Sequence, residues 1–347
     1  MKRKRILLTG GGTGGHLAIV RAVKEELLRL GASPYYIGSE SGQDRAWFGE
    51  DETFAKRLFL KSRGVVDKRG FAKAASMVQL LRSAYIAHRF MRDQRIEAVL
   101  SVGGFSAAPA SFAAVAARTP LFIHEQNAVS GRLNTILKPF AKAYFSSYFD
   151  DYVDYPVSDI FFESARVRKE VRRVIFLGGS QGARAINDFA LSVASALHEQ
   201  KIDIIHQCGG SDYARVKLLY ERLGIEADLF PFSDRIHEKV AEADFAVCRA
   251  GAGTVWELAA NRLPALFVPY PYAAGDHQYK NAMFLVKRGA GWVAREDELK
   301  SELFFEILKE GVEEASAALA SVISKGGAGE IAEALIGKRK KVLPNGT

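Results

Sequence analysis

The sequence predicts an α/β protein of two domains, each a Rossmann-like parallel sheet flanked by helices, and three observations carry that expectation. Strand-like and helix-like hydrophobic patterns alternate almost from the first residue, as they do when parallel strands are joined through helices. The alternation restarts at Arg173 with a new strand and a new glycine turn. The chain of 347 residues also exceeds one core, since single cores stop growing near about 250–300 residues.

Taken in order, Arg5–Leu8 reads as a short strand running into glycines. From His16 to Leu30, apolar residues at 19, 20, 23, 27, 28 and 30 form a helical stripe that Gly31 closes. Pro34–Ile37, Ala98–Val102, Leu121–His124 and Ala143–Ser147 are further expected strands. Ser76–Met91 reads as a long amphipathic helix with Met77, Leu80, Leu81, Ala84, Tyr85 and His88 on one side, a stripe whose helical spacing marks it chiefly as core. After the restart, Arg173–Leu177, Ile202–His206, Phe245–Cys248 and Ala265–Val268 are strands. Helices are expected over 183–198, 211–223, 235–242, 254–261 and 276–288. The domains are expected to join near Tyr155–Phe162, dividing 1–157 from 158–347, with the last helical segment free to pack back on the first domain. The tail from Lys338–Lys341 onward reads as frayed.

Composition narrows the partners. Hydrophobic residues make up 48% and charged residues 25%, an ordinary globular balance that speaks against disorder. Ile6, Leu7 and Leu8 are too few for the apolar region of a secretory signal. No run reaches the roughly 20 apolar residues of a membrane span, and Pro109 interrupts the Ala-rich stretch from Gly103 to Ala117. Cys208 and Cys248 sit in apolar strand-like runs, as buried thiols do in a reducing compartment. The net charge of +8 is concentrated early: residues 56–95 hold 11 Lys or Arg against 2 Asp or Glu. That strip points to an anionic partner, with a solvated basic face as the plain alternative.

Five segments could carry chemistry. Gly10-Gly-Gly-Thr13-Gly14-Gly15-His16 follows the first strand and opens the first helix. Gly10, Gly12 and Gly15 satisfy G-x-G-x-x-G, and Glu40 lies near the end of the second strand, which allows a nicotinamide-dependent oxidoreductase. A sugar diphosphate or a lipid diphosphate suits the same free amides and positive helix end. His16, in the first turn of that helix, is placed to act as a neutral general base or merely to cap the turn. His124-Glu125-Gln126-Asn127 puts four polar residues just past a strand, near a second flexible turn at Gly103-Gly104-Phe105-Ser106. Gly178-Gly179-Ser180-Gln181-Gly182 repeats the glycine turn in the second half. In Arg249-Ala-Gly-Ala-Gly253-Thr254-Val-Trp-Glu257, Thr254 and Glu257 have capping-box spacing, and the alternative is a helix start facing a diphosphate with Glu257 on a ribose diol. Last, the loop from Pro269 runs through Asp276-His277-Gln278 into Asn281, offering sugar donors and acceptors. No zinc spacing, Lys-containing phosphate loop or nucleophile elbow occurs.

Together GGGTGGH, GGFSAAP, HEQN, GGSQGARAIN, CRAGAGTVWE and LPALFVPYPYAAGDHQYKN, in this order over residues 6–295, resemble the MurG family. The resemblance implies a glycosyltransferase-B fold with a cleft between its halves. It implies inverting transfer of N-acetylglucosamine from UDP-N-acetylglucosamine to the 4-hydroxyl of undecaprenyl-diphosphoryl-N-acetylmuramoyl-peptide. The implied setting is peripheral, at the anionic cytoplasmic face of a bacterial inner membrane, with no obligatory metal or cofactor and no nucleic acid. Carried over, Thr13, Gly14 and Gly15 contact the donor, His16 is the base, Glu125 is a second catalytic candidate and Asn127 touches the transferred sugar. Ser180, Gly253, Thr254 and Gln278 hold the nucleotide sugar, and Glu257 its ribose. Two positions depart from the family. Tyr155-Pro-Val-Ser158 stands where Asn-Pro-Val-Arg is usual, so a basic donor contact is missing or moved, and Ser233 replaces an apolar residue. A non-catalytic nucleotide-sugar-binding subunit and a transferase for diacylglycerol are the competing readings.

Overall fold

The structure, a computed structural model, describes residues 3–61, 71–149, 151–179 and 182–338. These fall into two compact units. One holds the described residues up to Pro156 together with those from Gly326 onward, and the other holds Val157–Lys325.

In the first unit the chain runs β1 (Arg5–Thr9), α1 (Gly14–Arg29), β2 (Ser33–Ser39), α2 (Asp44–Phe48), β3 (Lys56–Leu60) and α3 (Phe71–Asp93). It continues through β4 (Ala98–Ser101), α4 (Ala108–Ala116), β5 (Leu121–Glu125), α5 (Arg132–Leu137), β6 (Ala143–Ser146) and β7 (Asp151–Tyr152). The strands form one parallel sheet in the order β3-β2-β1-β4-β5-β6-β7, with Leu7 paired to Tyr35 on one side and Val99 on the other. Both faces are covered, so Ile6, Leu7 and Leu8 are all fully buried and the strand needs no polar alternation.

α3 corrects the expected core stripe. It buries Ser76, Ser83, Ala87, Phe90 and Met91, whereas Met77, Val78, Leu81 and Tyr85 are 44%, 66%, 64% and 64% exposed. Ala87, Phe90 and Met91 join the core cluster that also holds Ala110, Ala113 and Ala114 of α4.

The second unit holds α6 (Asp159–Glu163), β8 (Arg173–Leu177), α7 (Arg184–Glu199), β9 (Asp203–Gln207), α8 (Tyr213–Leu223), β10 (Asp228–Phe230) and α9 (Ile236–Glu242). Then follow β11 (Phe245–Cys248), α10 (Ala252–Asn261), β12 (Ala265–Phe267), α11 (His277–Val286), β13 (Trp292–Val293), α12 (Ser301–Glu310) and α13 (Glu313–Leu319). Its parallel sheet has the order β10-β9-β8-β11-β12-β13. Phe176, Phe189, Phe245 and Phe304 fill one side of it, the Phe189 and Phe304 rings meeting edge-on at 5.6 Å. Arg168 is fully buried and donates to the backbone carbonyls of Val240, Ala243 and Asn261, at the C-terminal ends of α9 and α10. Burial, together with the neighbouring Arg166 charge and only partly offset by Asp244, lowers its guanidinium to about 9.

α14 (Gly327–Ile336) belongs to the first unit, where it packs on α1 through buried Ile331, Ala332 and Leu335. Gly327 is obligatory there, because a Cβ would lie 1.8 Å from the Asp154 carbonyl oxygen. The tail residues 339–347 lie outside the described residues.

These strand orders place the site. In an open parallel sheet, ligands gather beyond the carboxyl ends of the strands where the order reverses. That point lies between β1 and β4 in the first sheet and between β8 and β11 in the second. The loops leaving those four strands contain the glycine-rich segments at 10–15, 103–104, 178–182 and 251–253.

Candidate active site

In the first unit the loop after β1 is shaped from beneath by Asp44, the first residue of α2. Its fully buried carboxylate accepts the Gly12 N–H at 2.6 Å, the Ser39 N–H at 2.9 Å and the Tyr36 hydroxyl at 3.1 Å. The same hydroxyl also reaches the Gly10 carbonyl at 3.0 Å, and burial beside a carboxylate drives its ionisation far above the usual phenol range. Gly12 has φ +84°, and the Phe105 ring lies 2.6 Å from where a Cβ would stand. The dinucleotide reading needs the Gly12 amide facing a ligand. That amide is turned to Asp44, and Glu40 stands exposed after β2.

Thr13 is the N-cap of α1 but makes no side-chain cap bond. Its hydroxyl instead meets Nδ1 of His16 at 2.9 Å, as the i,i+3 spacing in the first turn allows. From the other side Gln126 brings its Nε2 to 2.9 Å from Nε2 of His16. The same amide nitrogen lies 3.3 Å from Nδ1, and its donation to Nε2 is the arrangement that would put the ring proton on Nδ1, facing Thr13. His16 is half-buried.

Glu125 is built differently. It is 2% exposed, and its carboxylate accepts the Asn127 N–H at 3.0 Å, the Gly131 N–H at 2.8 Å and the Asn134 side-chain amide at 2.9 Å. It therefore anchors the loop that carries Asn127. His124 is fully buried with no hydrogen-bond partner on either ring nitrogen among the described residues, and burial holds it neutral, at about 3. Neither Gln126 nor Asp44 was singled out from the sequence. Gln126 was legible as part of the polar HEQN run, whereas Asp44 sits in a polar stretch with no periodicity to mark it as buried.

In the second unit the glycine turn closes with Gly182 donating to the Gly179 carbonyl at 3.0 Å, and a Cβ on Gly182 would strike the Cys208 carbonyl at 2.6 Å. Ser180 lies outside the described residues. Beneath the turn, Asn187 of α7 donates to the Cys208 carbonyl at 3.0 Å and to Asp212 at 2.7 Å. His206 Nε2 donates to Asn187 Oδ1, and its Nδ1 accepts the Tyr220 hydroxyl, each at 3.0 Å. Burial holds His206 neutral at about 4, while Arg215 holds the Asp212 carboxyl down at about 2.

The capping-box expectation for Thr254 and Glu257 does not hold. α10 starts at Ala252 with Gly251 as N-cap, so Thr254 is its third residue and Glu257 its sixth, a full turn too far along. Glu257 is half-buried with no hydrogen-bond partner among the described residues, and burial pushes its carboxyl up to about 7. Gly253 and Thr254 lie in the first turn, where backbone amides remain unpaired by the helix. Gln278, in the first turn of α11, accepts the Tyr270 N–H at 2.9 Å through Oε1, leaving its amide nitrogen to donate elsewhere. Ser158 is exposed at the start of α6, and Ser233 uses its hydroxyl to accept the Arg235 N–H at 3.1 Å. Neither supplies a positive charge.

Residues 6–146 match the glycosyltransferase family 28 N-terminal domain and residues 173–321 the glycosyltransferase family 28 C-terminal domain. A Wolinella succinogenes protein named UDP-N-acetylglucosamine--N-acetylmuramyl-(pentapeptide) pyrophosphoryl-undecaprenol N-acetylglucosamine transferase is 50% identical over 333 residues, covering 95% of this chain and 99% of that one. A Campylobacter jejuni protein (strain RM1221) of the same name is 49% identical over 324 residues, covering 93% of this chain and 95% of the relative. Among solved structures, Acinetobacter baumannii MurG aligns with a TM-score of 0.78 at 24% identity, covering 97% of this chain and all of that one. The calicheamicin glycosyltransferase CalG4 aligns at 0.67 with 16% identity, covering 99% of this chain and 100% of that one.

Proposed function

The chain belongs to glycosyltransferase family 28, with the MurG-type N-acetylglucosamine transferases, and from that premise we propose that it performs their reaction. It moves N-acetylglucosamine from UDP-N-acetylglucosamine to the 4-hydroxyl of a muramoyl-peptide carried on undecaprenyl diphosphate, with inversion. The observation that carries this reading is the end-to-end identity to relatives named for that transfer. The geometry supports a division of labour. His16 is the base, because its Nε2 is held by a displaceable amide whereas Glu125 already accepts three hydrogen bonds. Thr13, Gly14, Gly15 and Asn127 line the donor in the first unit. Ser180, Gly253, Thr254 and Gln278 hold the nucleotide sugar in the second, and Glu257 accepts its ribose diol.

In the reaction the acceptor oxygen forms its bond to the anomeric carbon as the bond to UDP breaks through an oxocarbenium-like state. The electron pair leaves on the diphosphate, and Nε2 of His16 takes the hydroxyl proton. The unpaired amides at the start of α10 stabilise the departing charge, a part that matters more here because Ser158 brings no guanidinium.

Among the described residues no helix is long and apolar enough to cross a membrane. The lipid acceptor is therefore met at a surface. The exposed Met77, Val78, Leu81 and Tyr85 of α3, beside exposed Arg82 and Arg89, suit insertion into an anionic leaflet. Of the basic strip over 56–95, Lys68 and Arg69 lie outside the described residues, as do the side chains of Phe71 and Lys73.

A transfer assay with labelled UDP-N-acetylglucosamine and a short-chain lipid-linked muramoyl-peptide tests the whole reading. Product on that acceptor and none on diacylglycerol is expected. The reverse pattern, or no product, would overturn it.

A further inference from the structure

The Asp44 carboxylate is fully buried and lies directly under the loop that carries Thr13 and His16. No Lys or Arg among the described residues forms an ion pair with it. Three donors from two segments, the loop after β1 and strand β2, converge on it: Gly12 N–H, Ser39 N–H and the Tyr36 hydroxyl. Space is made for it by glycine, since a Cβ on Gly11 would stand 2.4 Å from Oδ1 and one on Gly38 would stand 2.8 Å from it. A carboxylate buried at that cost is retained only where its hydrogen bonds are satisfied in one geometry.

Glycine-rich turns at helix starts ordinarily take their anion from a ligand. Here the protein supplies one of its own. The Gly12 amide is spent on Asp44, and the next residue, Thr13, carries the hydroxyl that fixes Nδ1 of His16. We propose that Asp44 is a positioning residue of the transfer, an internal anion that sets the Gly12–Thr13–His16 geometry before any substrate arrives. It touches neither substrate nor reacting atom, and it acts through the loop. This rests on the transfer reading given above. It follows that the acceptor or donor diphosphate is not received by Gly12, and that contacts from this loop begin at Thr13.

The test uses the full chain with Asp44→Ala and Asp44→Asn. Turnover is expected to fall about 10- to 100-fold, the scale of a catalytic group displaced by about 1 Å, while the affinity for UDP, which the second unit holds, stays the same. Formate fits the space left in Asp44→Ala, between the same three donors, and should restore part of the turnover. Chloride at equal ionic strength should not, and neither salt should help Asp44→Asn, where the volume is filled. Unchanged turnover, a loss matched by the fall in folded fraction, or equal effects of formate and chloride would overturn the assignment. Failure of both variants to fold would place Asp44 in the scaffold alone and overturn it too. A wild-type chain without transfer activity would strike the reaction itself, and the role of Asp44 in it with it.

Discussion

Replacing His16 by alanine removes the proposed base but none of the bonds that build the second unit. Turnover should drop by roughly 10²–10⁴, the range for losing a general base, and UDP binding measured by calorimetry should not move. A wild-type rate in His16→Ala would return the residue to a turn-capping role. Glu257 gives the pH signature. Its carboxyl is held up at about 7, and a ribose diol binds the ionised form, so donor affinity should weaken as pH falls through 7. Without ligand the sign reverses: the native state holds the proton more tightly than the unfolded chain, so stability declines as pH rises from the ordinary glutamate range towards 7. Glu257→Gln should flatten the pH dependence of the donor KM and raise it about 10- to 100-fold, on the scale of one charge-assisted hydrogen bond. A KM that still tracks pH in Glu257→Gln would remove the diol role. At this scale the sequence showed the groups that follow strands directly, His16 and the HEQN run among them. It hid Asp44, whose donors stand 5, 8 and 32 residues away, and the Asn187–His206–Tyr220 chain, whose links span 19 and 14 residues, because no local pattern marks them and the fold brings them together.

Nine strands were legible, and all four that were not, β3, β7, β10 and β13, are the outer strands of the two sheets. The reason is physical. A central parallel strand is covered on both faces and reads as an unbroken apolar run, whereas an edge strand is short and partly wetted, as in the Asp-Leu-Phe of β10. α3 was legible as a helix and misread as to its face, because hydrophobic spacing marks a stripe without saying what covers it. That inversion gives an element-scale prediction. The chain should bind anionic vesicles, weakening as salt rises. Leu81→Ser with Tyr85→Ser should lower binding at every salt concentration, while Arg82→Glu with Arg89→Glu should abolish most of the salt-sensitive part, at ~1 kcal/mol per basic residue. Sedimentation that is equal with neutral and anionic vesicles would leave α3 without a membrane role.

Over the whole molecule, the division into units does not follow the order of the chain: α14 closes the first unit after the second has been traversed. Ile331→Ala, which opens a cavity where α14 meets α1, should cost the first unit about 2–5 kcal/mol, with UDP affinity retained by the second. Scanning calorimetry with and without UDP would reveal this as one transition lowered and one ligand-stabilised. If both transitions fell together, the two units would not be independent in stability. The same arrangement bears on how the protein is made. During translation α1 emerges early but its partner helix follows only about 300 residues later, a wait on the order of 15–60 s at ordinary elongation rates. Through that interval the α1 surface that Ile331 and Leu335 will cover is open on the nascent chain. The second unit has meanwhile been synthesised in full and can fold as a finished body. The first unit is thus the slow partner in biogenesis, and premature termination between Gly326 and Ile336 would release a chain with a folded second unit and an unsealed, aggregation-prone first one.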